Sequence, residues 1–100
     1  MGETLLKTES KIKTKKPKLY SVIIHNDDVT PMDFVVIILN KIFDKSVEEA
    51  DKLMLEAHNR GSVIAGIYVF EIANTKKSQA DVISIEHGYP LKLTLEEYID

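Results

Sequence analysis

The sequence predicts an α+β fold in which a three-stranded sheet packs on three helices in the order strand-helix-helix-strand-helix-strand. Three observations carry that expectation. Leu19 to His25 (LYSVIIH) and Ser62 to Phe70 (SVIAGIYVF) are runs rich in β-branched and aromatic residues. Two Ser/Thr-x-x-acid patterns, at Thr30–Asp33 and Ser46–Glu49, each precede an apolar run. Leu91, Leu93 and Leu95 alternate with Lys92, Thr94 and Glu96, the pattern of a half-buried strand.

Taken in order, the first strand stops at Asn26-Asp27-Asp28, a turn cluster. The first helix then starts with Thr30 as cap, Pro31 at the first helical position and Asp33 completing a capping box. It runs to about Phe43, and its near-continuous apolar character predicts burial on most sides. The second helix is capped by Ser46, places Ala50, Leu53, Met54 and Ala57 at helical spacing, and stops at Gly61. The second strand reads as buried on both faces, with Gly66 marking a bulge or a close approach. Ile72, Ala73, Ala80 and Ile83 predict a third helix that ends near Gly88, before Pro90 and the last strand.

One hundred residues are enough for a single core. Residues 1–17 are expected to form a disordered basic N-terminal extension, with five lysines against Glu3 and Glu9 and no sustained apolar period. Residues 18–100 form the folded domain. The whole chain carries a net charge of −3, so the domain is acidic and unsuited to binding phosphate backbones. No nucleic-acid partner is expected. Cysteine is absent, which excludes disulfides and thiolate metal sites. No apolar stretch approaches the roughly 18 residues of a membrane span, and the N-terminus lacks the apolar core of about 7–15 residues that a secretory signal carries. A soluble protein without a membrane partner is expected.

Two places could carry chemistry. HNDDVTPMDF joins the first strand to the first helix and sets Asn26, Asp27 and Asp28 in a loop on a rigid scaffold. By composition alone, these residues also read as a turn cluster with favourable charge at a helix N-terminus. His58 falls near the end of the second helix on the face of Met54, where a histidine is commonly dipole-favoured surface. His25 and His87 carry no further signal. A metal site from His25, Asp27, Asp28 and His58 lacks zinc-ligand spacing, and no phosphate loop, nucleophile elbow or cysteine nucleophile occurs. Neither an enzyme nor a cofactor is expected.

HNDDVTPMDFVVIIL, followed by LMLEAHNRG, GIYVFEIANTKKSQAD and HGYPLKLTLE, resembles the ClpS family from about Leu19 to Glu97. The pairing of NDD-x-TPM with LML-x-x-H is highly specific. The resemblance implies a non-enzymatic adaptor that binds the free α-amino group and the bulky first residue (Leu, Phe, Tyr or Trp) of N-degron substrates. It would hand them to a ClpA- or ClpC-type AAA+ chaperone. By that resemblance Asn26, Asp28 and His58 hold the amino group, with Asp27 beside them. Thr30 and Met32 line or gate a hydrophobic pocket with a floor of Val35, Met54 and Leu91. Ala57 stands where the family commonly has Val, a change that bears on pocket width. Glu71 and Lys76 match positions that dock onto the chaperone's N-terminal domain, and the N-terminal extension would be engaged during hand-off. A monomer in the bacterial cytoplasm is expected. Two other readings are a ribosome- or translation-associated domain, by likeness of fold, and a metal-dependent hydrolase using the Asp pair.

Overall fold

The computed structural model describes residues 16–99. It contains β1 (Leu19–His25), α1 (Met32–Lys41), α2 (Val47–Arg60), β2 (Ser62–Val69), α3 (Phe70–Glu86) and β3 (Lys92–Tyr98). The element order and the two-layer α+β architecture are those the sequence predicts. All but Lys16 and Pro17 of the expected N-terminal extension lie outside the described residues, as does Asp100.

β1 is the central strand of a wholly antiparallel sheet ordered β2-β1-β3. Its alternation decides the core. Val22 and Ile24 are fully buried, and their cross-strand neighbours Val63, Ala65 and Leu93 join them on one face. α3 touches all three strands, while α2 packs on β2 and on α1. The helices thus cover a single face. Ile64 and Ile67 of β2 stay exposed, so β2 is half-buried rather than buried on both faces. An apolar run signals a buried strand but cannot say whether a second layer will cover its far side.

Other boundaries shift for local reasons. Phe70 opens α3 instead of ending β2. α1 begins at Met32 after Pro31, with no side-chain cap, because the Thr30 hydroxyl is committed elsewhere: it donates to Asp27 Oδ2 at 2.7 Å. The expected Thr30–Asp33 capping box therefore does not form. α1 ends at Lys41, and Met32 and Ile37 are about half exposed, so the helix buries one stripe made by Phe34, Val35, Ile38 and Leu39. Ile72, read as a core position of α3, is also half exposed, and Ala73, Ala80 and Ser84 form that helix's buried line.

The second helix follows the sequence closely. Ser46 Oγ accepts from the Glu49 N–H, and Gly61 terminates α2 with φ +97° while its N–H donates to the Ala57 carbonyl. Gly66 marks the bulge, since Val22 pairs with Gly66 but Ile23 pairs with Ile64. It also lies directly against the Tyr68 ring, where an added Cβ would fall 2.6 Å from two ring carbons. Phe34 meets the Tyr89 ring edge-on at 4.8 Å, fixing the start of α1 against the α3–β3 connection.

The conformation at Gly61 leads to a stability prediction. A Cβ there meets no atom, but the positive φ is one that side-chain-bearing residues resist. Gly61→Ala should lower the unfolding free energy by about 1–2 kcal/mol, read from urea denaturation. An unchanged midpoint would show that the turn relaxes without cost.

Candidate functional site

A narrow cavity opens where β1 ends, α1 begins and α2 finishes. β1 contributes Ile24 and His25, and the following loop contributes Asn26, Asp27 and Thr30. Met32 and Val35 come from the first turn of α1, Met54, Ala57 and His58 from the second half of α2, and Leu91 from the residue before β3. Its interior is about 10 Å³, room for a single water.

Local chain chemistry explains why these residues converge. The Asn26 N–H donates to the Gly61 carbonyl at 2.8 Å, tying the end of β1 to the end of α2, three residues beyond His58. Asp27 shapes the loop. Its Oδ1 accepts the Val29 N–H at 2.9 Å and the Thr30 N–H at 2.6 Å, while Oδ2 accepts the Thr30 hydroxyl. Such a carboxylate-led turn offers the backbone the hydrogen bonds that a helix cap would otherwise give. Burial pushes the Asp27 carboxyl up, but the hydrogen bonds from Thr30 and Val29 outweigh it and hold the group below its ordinary value.

The cavity is amphipathic. Val35, Ala57 and Leu91 are buried and Met54 is half-buried, so the floor and walls are apolar. Asn26 and His58 are exposed at the rim beside the half-buried Asp27. An amide oxygen, a carboxylate and a neutral imidazole nitrogen are all acceptors, and an ammonium group offers three donors and no acceptor. The arrangement suits a small cation attached to an apolar group.

Nine of the sequence-predicted residues line this one cavity: Asn26, Asp27, Thr30, Met32, Val35, Met54, Ala57, His58 and Leu91. Asp28 is exposed in the same loop and is not among the lining residues. Glu71 and Lys76 lie apart from it on α3. Glu71 is exposed, whereas the Lys76 ammonium turns inward to the Ile42 carbonyl at 2.7 Å. Ile24 and His25 also line the cavity, although neither was expected there and His25 was weighed only as a metal ligand. Ile24 was legible as the last core-facing position of β1. His25 gave no signal, and its Nε2 meets Thr94 Oγ1 at 2.8 Å across the sheet. Among the described residues, no three His, Asp or Glu side chains are placed to share a metal ion, and no helix is long and apolar enough to cross a membrane.

Comparison with known proteins converges on the same group. Residues 15–94 match the family described as ATP-dependent Clp protease adaptor protein ClpS. The chain is 46% identical over 92 residues to the Clp protease adapter ClpS of Hyphomonas neptunium, covering 92% of this chain and 78% of that protein. It is 44% identical over 96 residues to the ClpS of Desulfatibacillum aliphaticivorans, covering 96% and 90%. Among solved structures, Agrobacterium tumefaciens ClpS2 bound to L-phenylalaninamide superposes with a TM-score of 0.80 at 37% identity, over 83% of this chain and all of that one. The chain therefore belongs to the ClpS family of ATP-dependent Clp protease adaptor proteins.

Proposed function

We propose that this adaptor captures proteins by a free α-amino group and a bulky hydrophobic first side chain, and presents them to the N-terminal domain of a Clp AAA+ chaperone in the bacterial cytoplasm. The observation that carries this reading is the joining of two rim acceptors, Asn26 and His58, and the negative charge of Asp27 to an apolar floor of Val35, Met54 and Leu91 in one cavity. The ligand of the Agrobacterium relative has the matching chemistry, since phenylalaninamide joins a free amine to a benzyl side chain and an amide.

In this mechanism the substrate ammonium donates to the Asn26 side-chain oxygen, to a loop carboxylate and to an unprotonated nitrogen of His58. The resemblance favours Asp28 as that carboxylate. Asp27, with both oxygens already accepting within the loop, shapes the site and adds negative charge beside it. Hydrogen bonds to charged groups contribute about 1.5–3 kcal/mol each. Burying a Phe or Leu side chain contributes roughly 1.5–3 kcal/mol more. Set against an association cost of at least about 4 kcal/mol, these gains of about 6–12 kcal/mol leave a net of at most about −8 kcal/mol, an affinity no tighter than about micromolar and suited to a carrier that must release its cargo.

The cavity must widen to admit a first side chain, because its interior now holds about one water. Met32 is 43% exposed and Met54 half-buried, and unbranched thioethers change rotamer easily. They are the parts of the wall that yield. The family resemblance implies that a β-branched Val or Ile at the first position is excluded, its branch meeting the narrow entrance. Ala57 is 3% exposed and leaves less side chain to move aside than a Val would.

Docking on the chaperone falls to the exposed start of α3, where Glu71 stands between the half-exposed Phe70 and Ile72. By the family resemblance, residues 1–17 are engaged by the chaperone during hand-off.

Fluorescent peptides with free Phe, free Leu, free Ala or acetylated Phe at the start test the pocket. Saturable binding to free Phe and Leu is expected, falling by at least about tenfold on acetylation and on His58→Ala, the loss of one charged hydrogen bond. Equal binding of free and acetylated Phe would refute amine capture. Asp27→Ala should weaken Phe-peptide binding through the loop, and the wild-type loop should loosen in acid. The lowered carboxyl value means its stabilisation is fully present above about pH 4 and fades as pH falls through the folded-state value. Hydrogen exchange at Val29 and Thr30 reads this directly, and protection independent of pH down to about 2 would contradict it. Deleting residues 1–17 should leave peptide affinity unchanged yet slow degradation by the assembled chaperone-protease. Degradation at the full rate would remove the extension from the mechanism.

A further inference from the structure

The cavity sits at the mouth of a helical hairpin. Met32 and Val35 stand at the start of α1, and Met54, Ala57 and His58 stand in the second half of α2. The loop 42–46 closes the opposite end of the hairpin, about 15 Å away along the ten residues of α1. A small change of angle at that hinge moves the two walls of the mouth apart.

The hinge residues Ile42 and Phe43 are buried in the core, Phe43 lying 6.5 Å from the Tyr68 ring, and a polar side chain adds a directional tie from outside the hairpin. Lys76 of α3 donates to the Ile42 carbonyl at 2.7 Å and to Asp44 Oδ2 at 3.3 Å, and its ammonium lies 5.3 Å from the Tyr68 ring centroid. The Ile42 carbonyl belongs to the C-terminal end of α1, where helix carbonyls lack partners within the helix and a cation is favoured. The Lys76 side chain is only 19% exposed, while that of Asp44 is 82% exposed. The carbonyl bond, not the screened ion pair, is therefore the main tie. Two further features mark the hinge as a fixed shape. Asp44 holds φ at +57°, uncommon outside glycine, and the Lys45 N–H and carbonyl are bound to the Leu39 carbonyl and to Asn40 Nδ2.

We propose that Lys76 is a positioning residue for the substrate pocket: by locking the hinge of the α1–α2 hairpin from α3, it sets how far the mouth opens and so which first side chains fit. The proposal rests on the reading of the cavity as the site for a substrate's first residue. It gives Lys76 a role that needs no chaperone, because its ammonium is already engaged within the fold. A clamp at the hinge acts on the size of the side chain admitted. It leaves the amine acceptors untouched, since Asn26 and Gly61 are joined at the other end of the hairpin.

The test uses the full chain without chaperone and free-amine peptides starting with Trp, Phe or Leu. Lys76→Met keeps the stem against Tyr68 and removes the donor, whereas Lys76→Arg keeps a donor. The Trp-to-Leu affinity ratio should rise by about threefold or more in Lys76→Met and return to the wild-type value in Lys76→Arg. A folded Lys76→Met protein with an unmoved ratio overturns the proposal, as does an equal loss for all three peptides, the mark of a merely structural role. Should Lys76→Met fail to fold, Lys76→Leu, which also removes the donor to the Ile42 carbonyl, must move the ratio in the same direction, and an unchanged ratio there overturns the proposal equally. Wild-type protein that binds none of the three peptides overturns the pocket reading itself, which keeps the two failures distinct.

Discussion

The hydrogen bond from the Asn26 N–H to the Gly61 carbonyl is the constraint on which the site depends. It joins two chain segments that end side by side, the central strand and the second helix, and each carries a polar rim residue close to its end. Gly61 makes the junction possible because its positive φ stops α2 within one turn of His58 and lets the chain enter β2 beside β1. The same turn puts Ser62 opposite His25, so the register of the sheet and the placement of the rim are set together. Moving either would separate Asn26 from His58. The cavity is thus a product of strand pairing and not of a free loop.

Around this junction the fold divides two kinds of work. The apolar floor is an extension of the core, since Val35, Ala57 and Leu91 belong to the same buried cluster as Ile24 and Leu93. Its geometry is therefore as rigid as the packing beneath it. Adaptability is left to Met32, largely free of that packing, and to Met54 at the edge of the cluster. In the proposed function, a rigid floor with pliable thioether walls accepts aliphatic and aromatic side chains while the polar rim demands a free amine, so that the two kinds of selectivity would come from different residues.

The sequence made most of this readable, for identifiable reasons. Helix α2 was legible to the residue, because its Ser46 cap and Gly61 stop are local devices whose chemistry does not depend on the rest of the fold. α1 was less so. Thr30 looked like a cap, but Asp27 claimed its hydroxyl, and only the folded loop decides between two partners one turn apart. The far side of the sheet was misjudged at Ile64 and Ile67, since alternation cannot report that no second layer exists. The gathering of Asn26, His58 and Leu91 rests on contacts distant in the chain and became legible only through the family motif. Lys76, which the motif matches to chaperone docking, also donates to the Ile42 carbonyl across the fold, a contact between residues distant in the chain that no local pattern reports.

The central claim is that the narrow cavity opens to take a first side chain while Asn26 and His58 take its amine. A crystal structure of this chain with a short Phe-start peptide tests it most directly. The account predicts the ammonium within hydrogen-bond distance of the Asn26 oxygen and a His58 nitrogen, the benzyl group over Val35 and Leu91, and Met32 or Met54 displaced from its present place. A peptide bound elsewhere, or one whose side chain lies outside an unopened cavity, would contradict it.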